Sequence, residues 1–143
     1  MNIVFDNKTY EELFCELYKD IANKYNLKIR KNSKTEMSLT SNIFTLLLSY
    51  DMDTVWIYYI FNQTKETYLI SNYVNVNAED VDRNDIPKDE IISKQIKRIL
   101  VIQSRVLDRK FGNLLIGKMD WFEDYKKSKF YCLSNFPNAL LGN

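Results

Sequence analysis

Histidine does not occur in this chain of 143 residues, while glycine occurs three times and proline and cysteine twice each. Without histidine there is no Ser-His or Cys-His nucleophile pair, no imidazole acid or base and no imidazole metal ligand, which removes most common hydrolase designs. The glycines, Gly112, Gly117 and Gly142, are too dispersed to build a phosphate-cradling loop of the usual kinds. Cys15 and Cys132 lie at opposite ends of the chain with no CxxC pairing. They suggest two buried reduced thiols, and neither a disulfide framework nor a zinc site.

Long hydrophobic runs are also missing. The longest, 55–61 and 99–102, fall far short of a bilayer's thickness, and the first six residues lack a basic stretch followed by an apolar one. A soluble, cytoplasmic protein is expected. Charge of one sign is missing as well, since 20 basic residues stand against 19 acidic ones for a net +1. Any charge-driven binding must therefore come from local patches.

What is present is globular composition, 45% hydrophobic and 27% charged, in a length that suits one domain spanning residues 1–143. Thr9 and Glu12 have capping-box spacing, and Tyr10, Leu13, Phe14, Leu17, Tyr18, Ile21 and Tyr25 recur at three- and four-residue steps. These predict an amphipathic helix over 10–26. Two strand pieces, 27–30 and 37–40, are expected around a polar turn at 31–34. Strands over 43–50, 55–61 and 67–76 follow, separated by the hairpin connections Asp51-Met52-Asp53-Thr54 and Asn62-Gln63-Thr64-Lys65. The strand 55–61 has Val55, Ile57, Tyr59 and Phe61 on one face and Trp56, Tyr58 and Ile60 on the other, so it should be covered on both sides.

Pro87 suits the first turn of a long helix reaching about residue 110, with Gly112 as its stop. Its apolar stripe, from Ile91 to Leu107, covers more than half the circumference and so needs more than one neighbour. Trp121, Phe122 and Tyr125 at helical spacing, with Phe130, Tyr131, Leu133 and Phe136, supply an aromatic C-terminal segment. The fold class is therefore α+β, a helix before a mostly antiparallel sheet of four or five strands that a long helix and a short helical segment help to cover.

Carboxylates are the remaining route to catalysis. Asp51 and Asp53 suit a hairpin turn, and Asp120, Glu123 and Asp124 suit the start of a short helix, so both groups have ordinary structural explanations. The most one-sided patch runs from Glu79 to Glu90. Glu79, Asp80, Asp82, Asp85, Asp89 and Glu90 stand there against Arg83 and Lys88, a net −4. A solvated loop and helix start explain it; so does a docking surface for a basic partner. Lys94, Lys97, Arg98 and Arg105 form a basic strip on the long helix, which an ordinary wet face or a nucleic-acid surface would equally produce. Aromatic residues reach 14%, and Trp56, Tyr58, Tyr59 and Tyr73 are the ones whose exposure would mark an interface.

In overall character the chain resembles the small immunity proteins with which bacteria neutralise contact-dependent or secreted toxins. The likeness lies in the capped first helix from Thr9, the two hairpins and the acidic segment from Glu79. It implies a non-catalytic protein that blocks a basic toxin domain in a tight stoichiometric complex. Glu79, Asp80, Asp82 and Asp85 would steer the partner, and Trp56, Tyr58 and Tyr73 would anchor it. No cofactor or metal is expected, no membrane is involved, and a homodimer is compatible with the apolar 55–61 strand. The alternatives are a carboxylate-based or metal-dependent enzyme, and a nucleic-acid-binding or regulatory protein that uses the basic helix face.

Overall fold

A computed structural model describes residues 4–86, 88 and 91–134. The expectations placed on Pro87, Asp89, Glu90, Phe136 and Gly142 lie outside those residues.

The chain opens with α1, Tyr10–Tyr25, which has the capping box that Thr9 and Glu12 predict. The Glu12 amide donates to Thr9 Oγ1 at 3.2 Å, and Glu12 Oε1 accepts from the Thr9 amide at 3.0 Å. Each side chain thus satisfies a backbone donor that the helix start would leave orphaned. Asn26 ends the helix in the left-handed region at φ 56°, a conformation asparagine tolerates better than most residues.

Strands β1 (Lys28–Ser33), β2 (Glu36–Thr40), β3 (Phe44–Asp51), β4 (Thr54–Phe61), β5 (Thr67–Leu69) and β6 (Leu133–Ser134) form one sheet in that order, each pair antiparallel. The fold is α+β, with six strands where four or five were expected. The sixth, two residues long, is too short to leave a period in the sequence. Met52 takes φ 58° in the two-residue loop between Asp51 and Thr54, which closes the β3–β4 hairpin where the sequence places it.

Register divides the sheet into two faces. Met37, Leu48 and Ile57 align across three strands, as do Leu39, Leu46, Tyr59 and Tyr68 across four, and these rows look toward the helices. On the opposite face Ser38, Leu47, Tyr58 and Leu69 align, with Trp56 and Ile60 on either side of Tyr58. There Leu47, Tyr58 and Ile60 form a separate small cluster. Every residue of 57–60 is buried, as the doubly apolar strand requires.

Two expectations need correction. The strand drawn over 67–76 ends at Leu69, and Ser71–Asn75 is a short helix, α2. Ile70 and Val74, both fully buried, are four apart, a spacing that fits a strand's even positions and a helix turn alike. The Val74 amide donates to the Ile70 carbonyl at 2.9 Å, so the helical reading won, and Val76 projects into solvent.

The second correction concerns the long helix. It runs as α4 over Ile92–Lys110, after the single turn α3 at Asp80–Arg83, and Ile91 and Ile92 at its start are exposed. Its buried residues are Ile96, Leu100, Ile102, Gln103, Ser104, Val106 and Leu107, a face that spans more than half the circumference as the sequence suggested. Phe111 caps it, while Gly112 opens the next turn, α5, Gly112–Leu115. Gly112 serves a close approach there, since an added Cβ would lie 3.4 Å from the Tyr25 hydroxyl.

Helices α1, α4 and α6 (Asp120–Lys127) share one core with the helix-facing rows. Tyr10 donates to the Leu48 carbonyl at 3.0 Å, tying α1 to β3, and Tyr25 donates to Asp108 Oδ1 at 2.8 Å, tying α1 to α4. Trp121 stands edge-on to Tyr59 with ring centroids 4.9 Å apart, and Phe122 packs on Tyr68 at 5.0 Å. Tyr125 pins the sheet edge: its hydroxyl accepts from the Cys132 amide at 2.8 Å and faces the Leu69 carbonyl at 3.0 Å. Both cysteines are free, but Cys132, beside the edge strand, is exposed rather than buried.

Candidate functional site

The acidic segment is held against α4 by two arginines one turn apart on that helix. Arg109 Nε and Nη2 approach the Asp82 carboxylate at 3.0 and 2.6 Å, while Arg109 Nη1 reaches Glu79 at 2.8 Å. Arg105 Nη1 donates to the Asp82 and Asn84 carbonyls at 3.3 and 3.0 Å and meets Asp85 at 3.1 Å. Asp82, only 2% exposed, also accepts from the Glu79 amide at 2.9 Å and so caps α3. The Arg109 guanidinium holds the Asp82 carboxyl below its ordinary range, against the opposing effect of burial.

These contacts redistribute the charge that the sequence displays. Asp82 is committed to the fold, Glu79 and Asp85 are each paired, and among the described residues Asp80 alone of the four makes no ion pair. With Arg83, Arg105 and Arg109 beside four carboxylates, the part of the segment from Glu79 to Asp85 is close to neutral. The basic strip shrinks for the same reason. Arg105 turns onto the acidic segment, and Lys97 lies 3.4 Å from Asp6.

The three aromatic residues expected to anchor a partner do not converge. Trp56 and Tyr58 belong to the sheet face opposite the helices, where Tyr58 is buried with Leu47 and Ile60. Tyr73 is half-buried on the helix side, edge-on to Phe111 at 5.7 Å and to Tyr125 at 5.4 Å. Tyr59, also named from the sequence, is fully buried. Of the three expected anchors, Tyr73 alone lies on the helix side of the sheet, with the acidic segment.

A different surface brings apolar groups together at one end of the sheet. Ile43, from the β2–β3 loop, and Ile116, after α5, are 51% and 53% exposed. The Ile43 side chain lies over Gly117, where an added Cβ would come within 2.8 Å of Ile43 Cδ1. Ile43 separates two concavities. One, of about 500 Å³, is lined by Tyr25, Lys28, Thr40 and Ile116 among others, and the other, of about 350 Å³, has Phe61, Tyr68 and Phe122 as its apolar lining. Asn42 borders both.

The β2–β3 loop that carries Ile43 is fixed by side-chain hydrogen bonds. Ser41 Oγ accepts from the Ile43 and Phe44 amides at 3.1 and 3.2 Å. Asn62 Nδ2 donates to the Ser41 carbonyl at 2.7 Å, while Asn62 Oδ1 accepts from Thr45 Oγ1 at 2.7 Å. Sequence periodicity could not reveal the ridge, because its two isoleucines are 73 positions apart and each sits outside a regular element.

Among the described residues no group of three or more acidic or cysteine side chains is arranged to hold a metal ion, and no helix is long and apolar enough to cross a membrane. The chain matches no protein-family model, no curated protein and no solved structure.

Proposed function

We propose that this chain is a non-catalytic binding protein that neutralises a protein partner by forming a stoichiometric complex, in the manner of a toxin-immunity protein. The observation that carries the reading is the Ile43–Ile116 ridge between two concavities. Exposed branched side chains over aromatic walls, with the Ile43 loop held by side-chain hydrogen bonds, offer a partner a desolvated contact at little ordering cost. The acidic segment is the weaker docking surface, since Arg105 and Arg109 cancel much of the field that would attract a basic partner. Asp80, with the rims of Glu79 and Asp85, remains able to contribute to the encounter.

The test is complex formation with the toxin domain encoded by the adjoining gene, followed by size-exclusion chromatography with light scattering. A one-to-one complex is expected, and Ile43→Asp combined with Ile116→Asp should abolish it while leaving the circular dichroism unchanged. No complex at micromolar concentration would sink the reading, and a complex that survives both substitutions would remove the ridge from it.

A further inference from the structure

The ridge sets a knob directly beside a hollow. Ile43 is half exposed on a loop pinned by Ser41 and Asn62, and next to it lies the concavity of about 350 Å³ whose apolar lining is Phe61, Tyr68 and Phe122. That lining is firm. Its three rings meet edge to face, with centroids 5.9, 5.5 and 5.0 Å apart, and Tyr68 and Phe122 are buried. A knob and a hollow on one surface are what a symmetric contact between two copies needs, because a two-fold axis makes the same patch meet itself.

Charge is ordered across the ridge in the same self-complementary way. Lys28 lines the concavity on one side of Ile43, and Glu66 lines the concavity on the other. Both are exposed, and neither makes an ion pair among the described residues. A two-fold axis lying in the surface reverses the order of features along it. With each Ile43 in the other copy's hollow, the Glu66 side of either copy falls over the Lys28 side of the other, so opposite charges approach and like charges stay apart.

Other surfaces do not have this property. At the free edge strand β1, Lys28, Arg30 and Lys31 are exposed, and a second β1 alongside would bring like charges together. Strand β4, whose doubly apolar sequence is compatible with a homodimer, is already buried over 57–60 in the single chain.

We propose that the free chain pairs through this ridge with a second copy of itself, each Ile43 seated against the other's Phe61, Tyr68 and Phe122. The contact is small and its charge pairs lie at the rim, so the dimer is weak and reversible. Self-pairing does not depend on the binding function above. What it adds to that reading is competition, since a protein partner that takes the ridge must displace the second copy.

The experiment is sedimentation velocity on the whole chain alone, from low to high micromolar concentration. A reversible monomer–dimer equilibrium is expected, and Ile43→Asp should hold the chain monomeric throughout with its circular dichroism unchanged. Glu66→Lys and Lys28→Glu should each weaken the dimer by about fivefold, since each breaks two symmetry-related pairs, and the two together should restore it. A monomer at every concentration, a dimer that survives Ile43→Asp, or a double variant as weak as the single ones would each overturn the proposal. No partner is present in this measurement, so its failure and the failure of the complex-formation test are distinguishable.

Discussion

Arg109 grips Asp82 with two nitrogens, Nε at 3.0 Å and Nη2 at 2.6 Å, and so turns the most conspicuous acidic stretch of the sequence into a structural joint between α3 and α4. The pair is lopsided in exposure, since the carboxylate is 2% accessible and the guanidinium 31%. Such a carboxylate depends on its partners, because water is not there to replace them.

Loss of that joint should depend on pH. The Asp82 carboxyl is depressed in the folded state, chiefly by Arg109, so its stabilisation is fully present above the unfolded-state value and disappears as pH falls through the folded one. Arg109→Met should therefore lower the melting temperature at pH 7, and the gap from the parent should narrow below about pH 4. Asp82→Ala, which also removes the cap on α3, should cost about 1–3 kcal/mol in urea denaturation at neutral pH.

Two tyrosines of one aromatic cluster should respond oppositely to loss of a hydroxyl. The Tyr125 hydroxyl bonds the Cys132 amide and the Leu69 carbonyl, so Tyr125→Phe should cost about 1–2 kcal/mol and loosen β6 from β5. The Tyr59 hydroxyl is buried with no partner among the described residues, so Tyr59→Phe should be neutral or stabilising. Equilibrium unfolding of both variants measures the contrast.

Gly117 is required twice over. Its φ of 88° disfavours any side chain, and a Cβ would strike Ile43. Gly117→Ala should cost about 1–2 kcal/mol from the backbone conformation alone. Adding Ile43→Ala should recover the steric part of the loss and leave the conformational part, which a double-mutant cycle would separate.

The two thiols should react in sequence. Cys132 is exposed, whereas Cys15 is partly covered and its thiol is pushed up by burial and by Glu11. A thiol reagent at pH 7.5 should label Cys132 first. Labelling of Cys15 should accelerate as pH rises, because the thiolate is the reacting form. Simultaneous labelling would contradict this placement.

The first helix, its capping box, the two hairpins after β3 and β4 and the double burial of 57–60 were legible because each depends on neighbours within about ten residues. Ile70 and Val74 were misread because a four-residue step satisfies both periods. The start of α4 was placed too early because Pro87 has the fixed φ of a first helical turn, whereas the helix begins at Ile92.

The sequence by itself determined the composition of an α+β domain, the absence of imidazole chemistry and the local signals that start and stop most elements. Only the tertiary structure decided which charges are free. The acids of 79–85 and the arginines at 105 and 109 are twenty to thirty positions apart in the chain, yet they meet once α3 packs on α4. The same holds for Ile43 beside Gly117. The physical reason is that charge neutralisation and apolar exposure depend on distances through space, and folding sets those distances between residues that no local pattern connects.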